Sequence, residues 1–255
     1  MRTGLGDLRL HYTWWSWTVG WLLRCVTEVA FFGLIGLLLA DPAVTLFLLV
    51  GRGLFVGVAE VMWTIQSTAW ERGSGTLPLL VSAPGRVWPV FTGRSTQWLP
   101  SATATSLVSL LVLPPLFGIS FDPAQYAAIV VAVPVTILAS YGFAVPIAAL
   151  MVRRPSWRNA ASNLVHTVMG LICGALVPVA FWPVPVQWVA QALPVTHALA
   201  GLRSVLDPAA APVGASLWGG LGLALGLGIV FFVVGAFLLE RFAEAARDGR
   251  IDIDS

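Results

Sequence analysis

Lysine is absent: all 14 basic residues are arginine. A phosphate loop of the G-x-x-x-x-G-K-[ST] type needs a lysine, so the chain cannot hydrolyse ATP by that route. Charge of either sign is scarce. Asp, Glu, Lys and Arg make up 10% of the 255 residues, against 58% apolar, and the mean hydropathy is +0.86. A soluble domain carries roughly 25% charged residues. So little charge cannot cover a globule's surface, and the sequence reads as an integral membrane protein. Only two cysteines occur, Cys25 and Cys173. Both lie in apolar segments, which excludes a disulfide framework and leaves two small hydrophobes. The three histidines, His11, His166 and His197, lie far apart in the expected topology. No pair has metal-ligand spacing and there is no H-E-x-x-H, so no metal site is expected. A G-x-S-x-G elbow is also missing.

What is present is a set of long apolar runs. A membrane-spanning helix needs about 20 mostly apolar residues. Six segments qualify: Trp21–Ala40, Val44–Ser67, Ser95–Phe117, Ala124–Val152, Ala160–Phe181 and Ala215–Leu239. The expected fold is all-α and integral to the membrane, a single transmembrane domain over residues 1–255. Residues 1–20 hold Tyr12, Trp14, Trp15 and Trp17 beside Arg2, Asp7 and Arg9. Trp and Tyr favour the membrane–water interface, so this stretch reads as an amphipathic helix lying along the membrane.

Arginine sets the orientation. Eleven arginines (2, 9, 72, 86, 94, 153, 154, 158, 241, 247 and 250) fall in connections on one side, and only Arg203 on the other. The bias of Arg toward cytoplasmic loops puts both termini in the cytoplasm. Localisation to a bacterial plasma membrane, multi-pass, is the expectation. The tail, 241–255, is polar and reads as partly disordered. On the outer side, residues 182–213 carry Pro183, Pro185 and Pro194, which break the stretch into pieces too short to span. They read as two short re-entrant helices, with Trp182 and Trp188 at the interface.

The longest polar interruption is the cytoplasmic loop 70–94, WERGSGTLPLLVSAPGRVWPVFTGR. Thr76 is a fair N-cap and Pro78 is tolerated in a first turn; Pro84 and Gly85 then stop the helix. The short helix offers Leu77, Leu79, Leu80 and Val81 as apolar knobs, which in water want a groove on another protein.

Charges inside spans are costly, about 2.5–3.5 kcal/mol each at the bilayer centre. Arg24 and Glu28 lie on span one, Arg52 and Glu60 on span two. Counting from the span ends puts Glu28 and Glu60 at one depth, with Arg24 placed to bridge them. They line a substrate path or fix helix packing. Arg52, nearer the outer side, is expected to extend toward the headgroups. Three small-residue pairs, Gly53/Gly57, Gly170/Gly174 and Gly222/Gly226, allow close helix approach, within the chain or in a dimer. His197 is expected to make a structural hydrogen bond.

Two stretches together resemble one family. The first is Glu71-Arg72-x-x-Gly75-Thr76-Leu77 followed by Leu79-Leu80-Val81-x-x-Pro84. The second is Leu193-Pro194-x-Thr196-His197-Ala198-Leu199 followed by Leu202-Arg203. They resemble the coupling helix and the outer re-entrant helices of the ABC-2 type permeases, membrane subunits of ATP-binding-cassette exporters. Pro78 stands where family members often carry an acidic residue.

The resemblance implies a half-transporter for an amphiphilic or hydrophobic cargo such as a drug, lipid or lipid-linked molecule. Its expected partners are ABC ATPase subunits, a second permease (this chain or a relative) and membrane lipids; no nucleic acid is expected. The chain would bind no cofactor itself, with ATP and Mg on the partner ATPase, and would not be an enzyme alone. The implied ATPase contact is Glu71, Arg72, Gly75, Thr76, Leu77, Leu79 and Leu80. The implied path residues are Glu28, Phe31, Phe32, Glu60 and Trp63, and Pro194, Thr196, His197 and Arg203 mark the outer re-entrant region. The alternatives are a non-transporting membrane scaffold or sensor subunit and a membrane enzyme acting on lipids.

Overall fold

The computed structural model describes residues 15–68 and 85–248, and among them every regular element is a helix. A π-helical stretch, Ser16–Leu22, runs into α1, Leu23–Leu38. Then come α2, Pro42–Val61, with a short continuation α3, Trp63–Thr68. Next are α4, Trp88–Ser95, and α5, Trp98–Leu116. A long helix, α6, covers Pro123–Arg153, and α7 covers Arg158–Ile172. Two short helices follow, α8, Val184–Gln191, and α9, Pro194–Leu206. The last is α10, Leu217–Arg247.

Five helical stretches among the described residues are long and apolar enough to cross a membrane: Val19–Leu38, Pro42–Ser67, Trp88–Leu116, Pro123–Arg153 and Leu217–Arg247. The expected span Ala160–Phe181 is not one helix. Its helical part, α7, has 15 residues, about 22 Å at about 1.5 Å per residue, short of the roughly 30 Å hydrocarbon core. The chain leaves the helix at Gly174, whose φ of +94° is open to glycine and costly for other residues. Two other expectations shift. Trp88–Arg94, read as part of the loop, is helical and extends the third span inward. Residues 241–247, read as tail, continue α10, because Phe242, Ala243 and Ala246 are buried there. Most of the expected interface helix, residues 1–14, lies outside the described residues, as does 249–255.

Three of the helix starts on one face are capped as the sequence dictates. Asp41 accepts from Ala43 N at 2.8 Å ahead of α2. Asp122 and Gln125 form a reciprocal capping box ahead of α6. Ser216 caps α10 through Gly219 N. On the opposite face Arg86, Arg94, Arg153, Arg154, Arg241 and Arg247 stand exposed.

Helix α2 is the axis of the bundle: every residue from Leu48 to Val58 is buried. Small residues let its neighbours approach. A Cβ on Gly57 would meet Ala102 O at 2.4 Å, and one on Gly53 would meet Leu110, so α5 runs antiparallel against it. Ser106 fills that seam, accepting from Gly57 N and donating to Leu54 O, both at 3.0 Å. Helices α6 and α10 run parallel, backbone on backbone. A Cβ on Gly142 would stand 2.1 Å from Gly228 O, and one on Gly235 would stand 2.6 Å from Pro146 N. Gly170 packs on Phe55, whereas Gly222 and Gly226 face open space.

Candidate functional site

Helices α1 and α7 both pack on α2 and leave a groove between them, about 290 Å³ in volume. Its floor is α2. Trp21, Glu28, Arg52, Glu60, Trp63 and His166 are among its lining residues. In so apolar a bundle this groove gathers several polar groups.

The groove is built by register. A Cβ on Gly33 would meet Leu49, and one on Gly36 would meet Thr45. That antiparallel register sets Glu28 level with Arg52, and the two form an ion pair. The Arg52 guanidinium lies 4.6 Å from the Phe32 ring centroid and 5.5 Å from that of Phe55. Arg52 therefore does not extend toward headgroups. Its side chain is 10% exposed, and that of its partner Glu28 is 44% exposed, facing the groove mouth. An aromatic cradle and a carboxylate replace the water that the guanidinium gives up.

Glu60 is not level with Glu28. It lies eight residues from Arg52 along α2, about 12 Å toward the arginine-rich face. Buried there, it accepts from Thr105 Oγ1 at 2.9 Å. The Trp21 and Trp63 rings meet edge to face at 5.7 Å, and Trp63 lies 6.0 Å from Trp98. On the α7 wall, His166 Nδ1 stands 3.2 Å from Ser162 O, and Ser162 Oγ donates to Met62 O. Of the five expected path residues, the structure brings Glu28, Glu60 and Trp63 into the groove. Phe32 lies behind Arg52, and Phe31 is 58% exposed, its ring meeting Phe32 edge to face. The side chain of Arg24 lies outside the described residues. The α7 contributors, Asn163, His166 and Thr167, were not expected; their four-residue spacing (163 and 167) was the available signal.

The re-entrant residues gather around a second cavity of about 600 Å³ on the opposite face, lined by Thr196, His197 and Arg203 among others. Pro194 is the first residue of α9. His197 Nε2 donates to Gln191 O at 2.8 Å. Arg203 is 4% exposed. It donates from Nη1 to Gly174 O at 2.7 Å and from Nη2 to Phe47 O at 3.2 Å, and covers the Phe47 ring at 3.7 Å. It thus ties the break after α7 to both α9 and α2. Burial pushes the nearby Asp207 carboxyl up from its ordinary range, against the pull of Arg203. The expected ATPase-contact residues, Glu71, Arg72, Gly75, Thr76, Leu77, Leu79 and Leu80, lie outside the described residues.

Five helices long and apolar enough to cross a membrane, with a broken helix beside them, define a multi-pass membrane protein. The family model described as ABC-2 type transporter matches residues 10–206. The chain belongs to the ABC-2 type transporter family and is a membrane component of such a transporter. Comparison with curated proteins and with solved structures finds no match.

Proposed function

We propose that this chain is the permease subunit of an ATP-driven exporter that moves an amphiphilic or hydrophobic cargo outward. The observation that carries this is the groove between α1 and α7. It joins an ion pair, a buried carboxylate and a tryptophan pair inside an otherwise apolar bundle. An amphiphile needs both surfaces, apolar walls for its body and polar groups for its head. The family supports transport. The driving reaction belongs to a partner ATPase, seated on the cytoplasmic loop through Leu77, Leu79 and Leu80. A second permease completes the path. The arginine-rich face is cytoplasmic in this reading, and the membrane is the bacterial plasma membrane.

The test is a pull-down of the detergent-solubilised chain followed by an ATPase assay, comparing wild type with Leu80→Asp. The wild type is expected to bring down an ATPase that the variant loses. Wild type without ATPase, or a variant that retains it in full, overturns the docking reading.

A further inference from the structure

Helix α10 has 31 residues, about 46 Å, so it outreaches a roughly 30 Å hydrocarbon core. Its excess emerges at the arginine-rich face, beside Gly85–Val87, where the chain returns from the loop. Two side chains of α10 hold the backbone there. Glu240 Oε2 accepts from Val87 N at 3.2 Å. Arg247 Nη2 donates to Gly85 O at 2.8 Å. The two residues are seven apart, so they lie on one face of α10.

The contact has a local reason. Val87 is the N-cap of α4 and its apolar side chain offers no capping oxygen. A carboxylate from another helix instead accepts from the cap residue's own N–H, as the N3 acid of a capping box does, and also meets the positive end of α4. Gly85, with φ +137° and open space around it, permits the turn. Past the cap, α4 is packed into the bundle. Trp88 meets Phe232 of α10 edge to face at 5.9 Å. Tyr141 of α6 donates to Thr92 O at 2.9 Å, and Ser95 Oγ lies 2.8 Å from Tyr141 Oη. The glycine seam then joins α10 to α6.

We propose that Glu240 and Arg247 are positioning residues that carry movement of the cytoplasmic loop into α10, and through the seam into α6. This rests on the reading that the loop seats the ATPase. The matched family region ends at residue 206, so this contact lies outside it on the α10 side.

The test uses the full-length permease in lipid vesicles, alone and with the ATPase recovered from wild type. In the Glu240→Leu/Arg247→Leu double variant, ATPase recovery is expected to stay within twofold of wild type. The ATP hydrolysis rate of the complex is expected to fall at least fivefold. Glu240→Gln, which keeps an acceptor oxygen, is expected to hydrolyse within twofold of wild type. Spin labels at Arg86→Cys and Glu244→Cys in the permease alone are expected to give a narrow distance distribution that broadens in the double variant. Unchanged hydrolysis with full assembly overturns the proposal, as does loss of assembly or an unbroadened distribution. Wild type that recovers no ATPase instead overturns the docking reading, and the label experiment still decides whether the contact exists.

Discussion

Replacing Glu28 with alanine removes one half of the ion pair and leaves the Arg52 guanidinium, 10% exposed, without its carboxylate. Breaking a fully buried pair in this way costs about 3–5 kcal/mol. Glu28 is 44% exposed, so the pair is partly screened and the expected loss is about 2 kcal/mol, nearer the range for partly buried pairs. The reverse change, Arg52→Leu, leaves a carboxylate that already faces the groove mouth, and a leucine packs against Phe32 and Phe55. It is expected to cost about 1 kcal/mol, the scale of a net hydrogen bond. The double variant is expected to be no less stable than Arg52→Leu alone, because the stranded charge is gone. Reversible unfolding in mixed micelles, followed by tryptophan fluorescence, measures all three. A double variant that loses the sum of the two single changes would refute the reasoning, as would Arg52→Leu costing more than Glu28→Ala.

Gly142→Leu drives a side chain into the α10 backbone, where even a Cβ would stand 2.1 Å from Gly228 O. A loss of about 1–3 kcal/mol or more is expected in the same assay, whereas Gly226→Ala, facing open space, should leave stability unchanged. Gly174→Ala, at φ +94°, is expected to cost about 1–2 kcal/mol from backbone strain and to loosen the Arg203 contact, read as faster hydrogen exchange at residues 173–177. Tyr141→Phe removes the bonds to Thr92 O and Ser95, an expected loss of about 1–2 kcal/mol by thermal unfolding.

Length and hydropathy made the spans around α1, α2, α5, α6 and α10 legible, because a bilayer demands about 20 apolar residues whatever their packing. The fifth segment misled for the same reason: Leu176 to Phe181 are apolar, but Gly174 and Pro178 decide the backbone and hydropathy does not see them. The site was half legible. Helical rise gives depth only once the register between two helices is known. Gly33 and Gly36 set that register, and it pairs Glu28 with Arg52 where counting from span ends had paired it with Glu60. The α7 wall was hidden because its contributors are ordinary polar residues whose meaning lies in the neighbour they face. The α10 contact with Val87 joins residues 153 apart, beyond any local pattern.

At its closest points the seam between α6 and α10 sets backbone on backbone, with only the short side chains of Ala139 and Val145 beside them. Backbone has no rotamers and a β-branched valine has few, so the seam has little slack. These two helices therefore behave as one stiff beam. Compliance belongs to α1, whose far face is bare, and to the short, broken α7. The groove lies between the two parts of the molecule freest to give, set against a frame that is not.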